Sequence, residues 1–263
     1  MSNSKQEIEA RRGKILDILN EKGKVSVSGL SNQFSVTPVT IRNDLNILEK
    51  DGKLIRRQGG AVSVTDIRGD SALPKNAKIN CLDEKRAIAS EIVKMIQPAA
   101  TVFINSGTTT LVLAEALKAI PRLMVLTNSV AIATELSTKS SFEVVLLGGA
   151  MNVQYGFMYG GDAQEQLKKY QADWCILSAD GISMNSGVTT YHPEEAAVNK
   201  IMFSKARRRI IAADHTKIGR DGFSSICEIG PDFELITDSY ANPEEIENFR
   251  AHGLKVTVAE LAE

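Results

Sequence analysis

Cysteine is scarce in this chain, and its placement excludes several kinds of chemistry. Cys81, Cys175 and Cys227 are odd in number and far apart, with neither CxxC nor Cys/His ligand spacing. A metal site has no support in that spacing, and no cofactor is expected. The three thiols read as buried small hydrophobes in a reducing cytoplasm. Long apolar runs are also missing: nothing approaches eighteen residues, and no basic-then-apolar leader opens the chain. A soluble, cytoplasmic protein with no membrane partner is the expectation. There is no internal repeat and no low-complexity tract, so the chain reads as ordinary globular protein.

At 263 residues, with 43% hydrophobic and 24% charged residues, the chain is long for one domain and comfortable for two. Its net charge of −1 hides an asymmetry: residues 1–61 carry a balance of +4 and the remainder −5. A basic head on an acidic body is the footprint of a small nucleic-acid-binding domain joined to something else.

Residues 35–52, SVTPVTIRNDLNILEKDG, hold the most informative stretch. Thr37 can cap a helix whose first position is Pro38, where the missing N–H costs nothing. Ile41, Leu45 and Leu48 form one apolar stripe; Val39, Asn43, Asn46 and Lys50 lie opposite, flanked by Thr40 and Arg42. Gly52 closes the helix. A first helix is predicted over Arg11–Lys22, ended by Gly23, with residues 1–10 frayed. Ser28 is placed to cap a second helix reaching Phe34. Lys53–Gln58 and Ala61–Val64 read as two strands joined at Gly59-Gly60. Three helices and a basic hairpin make a winged helix-turn-helix over residues 1–64. Thr40, Arg42 and Asn43 are then the candidate base readers, with Ser28, Thr37, Val39 and Asn46 beside them. Arg56, Arg57 and Gln58 are the candidates for the phosphate backbone or minor groove.

Residues 65–80 lack periodicity and read as an interdomain linker. From Asp83 onward helices alternate with short β-branched runs. The candidate strands are Thr101–Ile104, Leu123–Thr127, Glu143–Leu147, Trp174–Ser178, Arg209–Ala213, Glu234–Thr237 and Lys255–Val258. Such alternation predicts an α/β domain over 81–263 with an open, largely parallel sheet. Ligands in such sheets collect at the carboxyl ends of strands. Asn105, Ser106, Gly107, Thr108, Thr109 and Thr110 follow the first of these strands and open a helix, the arrangement that cradles phosphate; a plain Ser/Thr-rich cap is the alternative. Asn128, Gly148, Gly149, Asp180, Gly181 and Lys217 stand at the other strand ends. Lys217 is the one cation well placed to balance a phosphate, and Asp180 can accept from sugar hydroxyls or simply form a turn. His192 and His252 read as surface residues.

Residues 28–61 resemble the N-terminal signature of the DeoR (deoxyribose-operon-repressor) family of bacterial regulators. The likeness runs through Val36, Thr40, Ile41, Arg42, Asp44, Leu45, Leu48, Gly52, Arg56 and Gly59-Gly60-Ala61. Asn43 departs from the second Arg of many members. Further on, Lys85-Arg86, SGTTT (106–110), TNS (127–129), GG (148–149), ADG (179–181), GVTTYHPEEA (187–196) and ADHTK (213–217) follow the family's order. The resemblance implies a sensor domain with the ribose-5-phosphate-isomerase-like fold, operator DNA and a phosphorylated sugar as partners, and a homo-oligomer, dimer or tetramer. It implies a repressor of a sugar-utilisation operon. The alternative is a sugar-phosphate isomerase with an accessory DNA-binding module. That reaction needs a carboxylate base and a cation. The isomerases it resembles carry further acids around their Asp-Gly and a Lys soon after, which the stretch Asp180–Thr190 lacks. No enzyme activity is expected.

Overall fold

The computed structural model describes residues 5–22, 24–50, 53–57, 59–63 and 79–261. The chain divides into two compact units, Met1–Gly69 and Asp70–Glu263. Gly23, Gly52 and Gln58, and residues 65–78 of the expected linker, lie outside the described residues.

The first unit runs α1 (Lys5–Lys22), β1 (Lys24–Ser26), α2 (Val27–Phe34), α3 (Pro38–Lys50), β2 (Leu54–Arg57) and β3 (Gly60–Ser63). Helix α1 begins at Lys5, six residues ahead of the expected Arg11. Ser26, not Ser28, caps α2: its hydroxyl accepts from the Gly29 amide at 3.0 Å, while Ser28 lies inside the helix. Strand β1 places Ser26 in extended backbone just before the helix, which is the geometry a cap needs. Ile15, Leu19, Leu30, Ile41, Leu45, Leu48, Leu54 and Ala61 form the core. Each large apolar side chain so buried contributes about 1.5–3 kcal/mol. The three strands form an antiparallel sheet in the order β1-β3-β2. Gly60 sits opposite Ser26, where an added Cβ would lie 2.0 Å from the Val25 carbonyl oxygen, so only glycine lets β3 close against β1.

The second unit opens with α4 (Leu82–Met95), β4 (Thr101–Ile104), α5 (Thr108–Leu117), β5 (Met124–Thr127), α6 (Val130–Ser137) and β6 (Glu143–Leu146). A hairpin of β7 (Ala150–Asn152) and β8 (Phe157–Tyr159) leads to α7 (Gly161–Leu167) and β9 (Ala172–Leu177). Then come β10 (Gly181–Ser183), β11 (Gly187–Thr190), α8 (Pro193–Ser204), β12 (Ala206–Ala212) and β13 (Ser224–Cys227). The unit ends with β14 (Glu234–Asp238), α9 (Pro243–Ala251) and β15 (Lys255–Ala259).

Seven strands form one parallel sheet in the order β15-β14-β12-β9-β4-β5-β6. These are the seven runs expected from the sequence. Successive residues face opposite sides. Val102, Ile104, Ile176 and Ile210 join one buried cluster with α4 and α5, whereas Phe103, Cys175, Leu177 and Ile211 join another with α7, α8 and α9. Helices thus cover both faces. The chain winds outward from β4 through β5 to β6, then returns to the centre at β9 and winds the other way. The reversal between β4 and β9 is a topological switch point, where an open α/β sheet leaves a crevice. Two small antiparallel elements, the β7–β8 hairpin and the β10-β11-β13 sheet, are additions to the main sheet.

Candidate DNA-reading surface and effector crevice

In the first unit the turn and α3 are held from both ends. The Thr37 hydroxyl accepts from the Thr40 amide at 3.2 Å, so Thr37 caps α3, and the Thr37 and Thr40 hydroxyls meet at 2.9 Å. Asp44, on the inner side and almost fully buried, accepts from Arg11 Nε at 2.7 Å and Arg12 Nε at 2.9 Å. Two arginines that sequence counting assigns to a basic surface are therefore spent locking α1 to α3. Outward stand Val39, Arg42, Asn43, Asn46 and Lys50, all exposed, with Thr40 half-buried among them. Arg56 differs from expectation. Its Nε donates to Asn46 Oδ1 at 3.2 Å, its Nη1 donates to the Gly60 carbonyl, and its amide donates to Glu49 Oε1 at 2.9 Å. The guanidinium clamps the wing onto α3 through two of its five N–H donors. The Arg57 side chain and the whole of Gln58 lie outside the described residues, although the Arg57 backbone pairs with Gly60 in the hairpin.

In the second unit the ends of β4 and β9 are stitched together. Asn105 Nδ2 donates to the Ser178 carbonyl at 3.0 Å, and Asn105 Oδ1 accepts from the Ser178 amide at 2.8 Å. Ser178 Oγ lies 3.1 Å from the Ser106 carbonyl and 3.5 Å from Thr110 Oγ1. Asn128 Oδ1 accepts from the Ser106 amide at 3.0 Å. Asn105 and Asn128, expected to hold a ligand, thus spend their carboxamides on shaping the loop. Gly107 leaves room for the Ser178 hydroxyl: a Cβ there would lie 2.0 Å from Ser178 Oγ and push it off the Ser106 carbonyl. Beyond it α5 begins. The Leu111 amide reaches the Gly107 carbonyl, so the amides of Thr108–Thr110 are the first-turn donors that a helix cannot satisfy internally. Thr108 is 5% exposed, and its Oγ1 is buried with no hydrogen-bond partner among the described residues. Thr109 is buried beside it.

Two residues past Ser178, Asp180 enters a second polar cluster. Its Oδ2 accepts from Thr190 Oγ1 at 2.9 Å and from the Tyr191 amide at 3.0 Å. The same Thr190 Oγ1 lies 3.1 Å from Glu195 Oε2. Burial pushes the Asp180 carboxyl above its ordinary range, against the opposing pull of the Lys217 ammonium and these hydrogen bonds. Burial, with Asp180 adding repulsion, pushes Glu195 up to about 8. A hydroxyl has one proton to give, so Thr190 donates to only one of the two acids at a time, and a proton retained on Glu195 lets the other contact form in the reverse sense. Lys217 is buried and ends a 3₁₀ turn capped by Asp214. Gly181 begins β10 beside Asp180.

Glu195 is the residue that sequence reasoning passed over. In the first turn of α8 it looks like an acid favouring the helix dipole, and its link to Asp180 runs through a hydroxyl on another strand. His192 also departs from expectation. It is half-buried, its ring centroid 4.5 Å from Tyr155 and 5.7 Å from Phe157 on the β7–β8 hairpin. His252 is exposed, as expected. Gly148 and Gly149 lie exposed beyond the edge strand β6, where the Gly148 amide donates to Gln166. Gly149 packs against the Tyr159 carbonyl and Ala163 instead of the ends of β4 and β9.

Just past the end of β12, Lys85 Nζ and Asp214 Oδ2 form an ion pair at 3.2 Å, both side chains fully buried. Cys81, Asp214 and His215 bring ligand-type atoms within 4.8 Å of one another, a proximity no spacing in the sequence reveals. The Lys85 ammonium already answers the Asp214 charge there. No helix among the described residues is long and apolar enough to cross a membrane.

A capped, outward-facing helix in a winged helix-turn-helix, carried by the same chain as an α/β unit with a polar switch-point crevice, defines a two-part DNA-binding regulator. The chain belongs to the DeoR family: the model of the DeoR-like helix-turn-helix domain matches residues 11–66, and that of the DeoR C terminal sensor domain matches residues 80–239. It is similar to the uncharacterized HTH-type transcriptional regulator YulB of Bacillus subtilis (strain 168), 33% identical over 255 residues, 97% of this chain and 98% of that one. It is also similar to the glycerol-3-phosphate regulon repressor of Escherichia coli (strain K12), 28% identical over 237 residues, 87% of this chain and 90% of the relative. Among solved structures, ribose 5-phosphate isomerase A from Methanocaldococcus jannaschii aligns with 51% of this chain and 53% of its own, at 15% identity and a TM-score of 0.39.

Proposed function

We propose that the chain is a sequence-specific transcriptional repressor of a sugar-utilisation operon, and that a phosphorylated sugar bound in the switch-point crevice controls it. The observation that carries this reading is Thr108: a buried hydroxyl with no hydrogen-bond partner among the described residues, beside the first-turn amides of α5, at the positive end of that helix. The phosphate sits on Ser106–Thr110 and Lys217, whose charge reaches Asp180, supplies the balancing cation. Arg42, Asn43 and Thr40 read bases, and Lys50 meets the backbone. A single winged helix covers little DNA, so a homo-oligomer, dimer or tetramer, reads repeated half-sites. The glycerol-3-phosphate regulon named for one relative fits a phosphate ester as effector.

A carboxyl pair next to a lysine is also what an isomerase would use, and Glu195 supplies the second acid. Against that reading, both acids are buried and share Thr190, and Asp180 Oδ2 also accepts from the Tyr191 amide, so their hydrogen bonds are spent on holding the corner between β11 and α8. Thermal unfolding of the full chain with sugar phosphates, each paired with its free sugar, tests the proposal. A phosphate ester at a hundred times its dissociation constant stabilises the fold by about 2.7 kcal/mol, while the free sugar does nothing. Conversion of an aldose phosphate, abolished by Asp180→Asn, contradicts it.

A further inference from the structure

The start of α8 carries a stripe of three polar side chains into the protein. Glu195 and Asn199 follow at i and i+4 on one face of the helix, Asn199 about 6 Å beyond Glu195 along the axis, and His192 is the extended N-cap residue just ahead of them. Asn199 is completely buried, and neither its amide nitrogen nor its oxygen has a hydrogen-bond partner among the described residues. His192 Nε2 is buried in the same condition. Val198 and Met202 on this helix belong to the apolar core, whereas packing gives no reason for an amide at 199. Buried polar groups without partners are rare, and each calls for a cause.

The stripe is continuous with the phosphate cradle. Ser178 touches Ser106 and Thr110; two residues later Asp180 reaches Thr190, and Thr190 reaches Glu195. The stripe also carries no lysine or arginine: Lys200 and Glu194 of the same helix are exposed. An amide and a protonated carboxyl each donate and accept, which is what an alcohol group needs from its partners.

We propose that this stripe is the sugar-reading half of the effector site. A hydroxyl-bearing carbon chain, esterified to the phosphate on α5, runs along α8 and exchanges hydrogen bonds with His192, Glu195 and Asn199. The inference rests on the sugar-phosphate reading above and adds to it: the end of the effector remote from the phosphate is uncharged and hydroxylated. Bisphosphates and sugar acids are refused, because nothing on the stripe answers a second negative charge.

The test is isothermal titration of the full chain with inorganic phosphate, pentose 5-phosphates, hexose 6-phosphates, their deoxy analogues and hexose 1,6-bisphosphates. Asn199→Leu keeps the volume and removes the amide; His192→Phe keeps the ring against Tyr155 and Phe157 and removes Nε2. The expected result is a monophosphate that binds wild type and loses at least tenfold in either variant, while inorganic phosphate changes less than twofold. The deoxy analogue lacking the hydroxyl that is read binds wild type and variants alike, and no bisphosphate competes. A hydroxyl-reading site discriminates steeply, so the loss is large where it occurs. His192→Phe serves alone where Asn199→Leu fails to fold. If both variants bind the ester like wild type, or the esters bind no better than inorganic phosphate, the stripe does not read sugar and the phosphate site stands. If neither phosphate nor any ester binds wild type, the sugar-phosphate reading is wrong and this inference falls with it.

Discussion

The two units treat their polar residues in opposite ways. In the first, α3 turns Arg42, Asn43, Asn46 and Lys50 outward and buries only Asp44, answered by Arg11 and Arg12. In the second, Asn105, Thr108, Asn128, Asp180, Glu195, Asn199 and Lys217 are all buried. The contrast follows from the partner each unit meets. A DNA groove comes to the protein, so its readers must stand in water at little cost until contact. A small ligand must be surrounded, so its readers are desolvated in advance, and each needs a partner or strains the fold. Substitution of exposed readers should therefore spare stability and damage recognition. Substitution inside the crevice should move stability, in either direction.

The largest effect falls on the sealed ion pair. Lys85→Met leaves Asp214 buried without its cation and should cost about 3–5 kcal/mol, read as a drop in the urea midpoint at unchanged slope. A loss below about 1 kcal/mol would mean that water reaches Asp214, and the contrast between the units would weaken.

Glu195→Gln should act in the opposite direction. The Glu195 carboxyl is raised from 4.5 to about 8 on folding. An acid raised in this way holds a proton that the unfolded chain gives up. Its contribution is thus most favourable below pH 4.5, declines as the pH climbs towards 8, and is constant beyond. Glutamine mimics the protonated acid and removes that decline, so the variant should gain up to about 3 kcal/mol at pH 7 and almost nothing at pH 4. Melting curves at the two pH values check it; a pH-independent difference would place Glu195 in contact with water.

Arg42→Ala should change stability by less than about 0.5 kcal/mol, because the side chain is exposed. Binding to a selected operator should fall by about 1–3 kcal/mol, with specificity relaxed at one base pair. Equal binding of wild type and variant, measured by fluorescence anisotropy, would remove α3 from the groove.

Much of this architecture was legible in the sequence, and the illegible part has physical reasons. All seven strands of the parallel sheet stand out because each is a β-branched or aromatic run between polar loops. Strands β7, β8, β10, β11 and β13 do not, because three or four residues such as Gly181–Ser183 carry no pattern. The loop Asn105–Thr110 was visible as a helix opening after a strand. Its internal bookkeeping, with Asn105 and Asn128 spent on neighbouring backbone, was not. Ser26 displaced Ser28 as a cap because a short strand sets the boundary two residues earlier. The pairs Arg11–Asp44 and Thr190–Glu195 join residues on different elements, so no local spacing announces them.

The measurement closest to the central claim uses Thr108→Val, which keeps shape and deletes the unpartnered hydroxyl. Removing a hydroxyl that has no hydrogen-bond partner among the described residues should leave thermal stability unchanged or slightly raised. Operator affinity of the full chain is then titrated with and without a sugar monophosphate. Wild type should respond 5–150-fold, equivalent to about 1–3 kcal/mol of coupling, and Thr108→Val should bind the operator normally and lose most of that response. A variant that responds like wild type, or a wild type that answers the free sugar as strongly as its phosphate, would contradict the account.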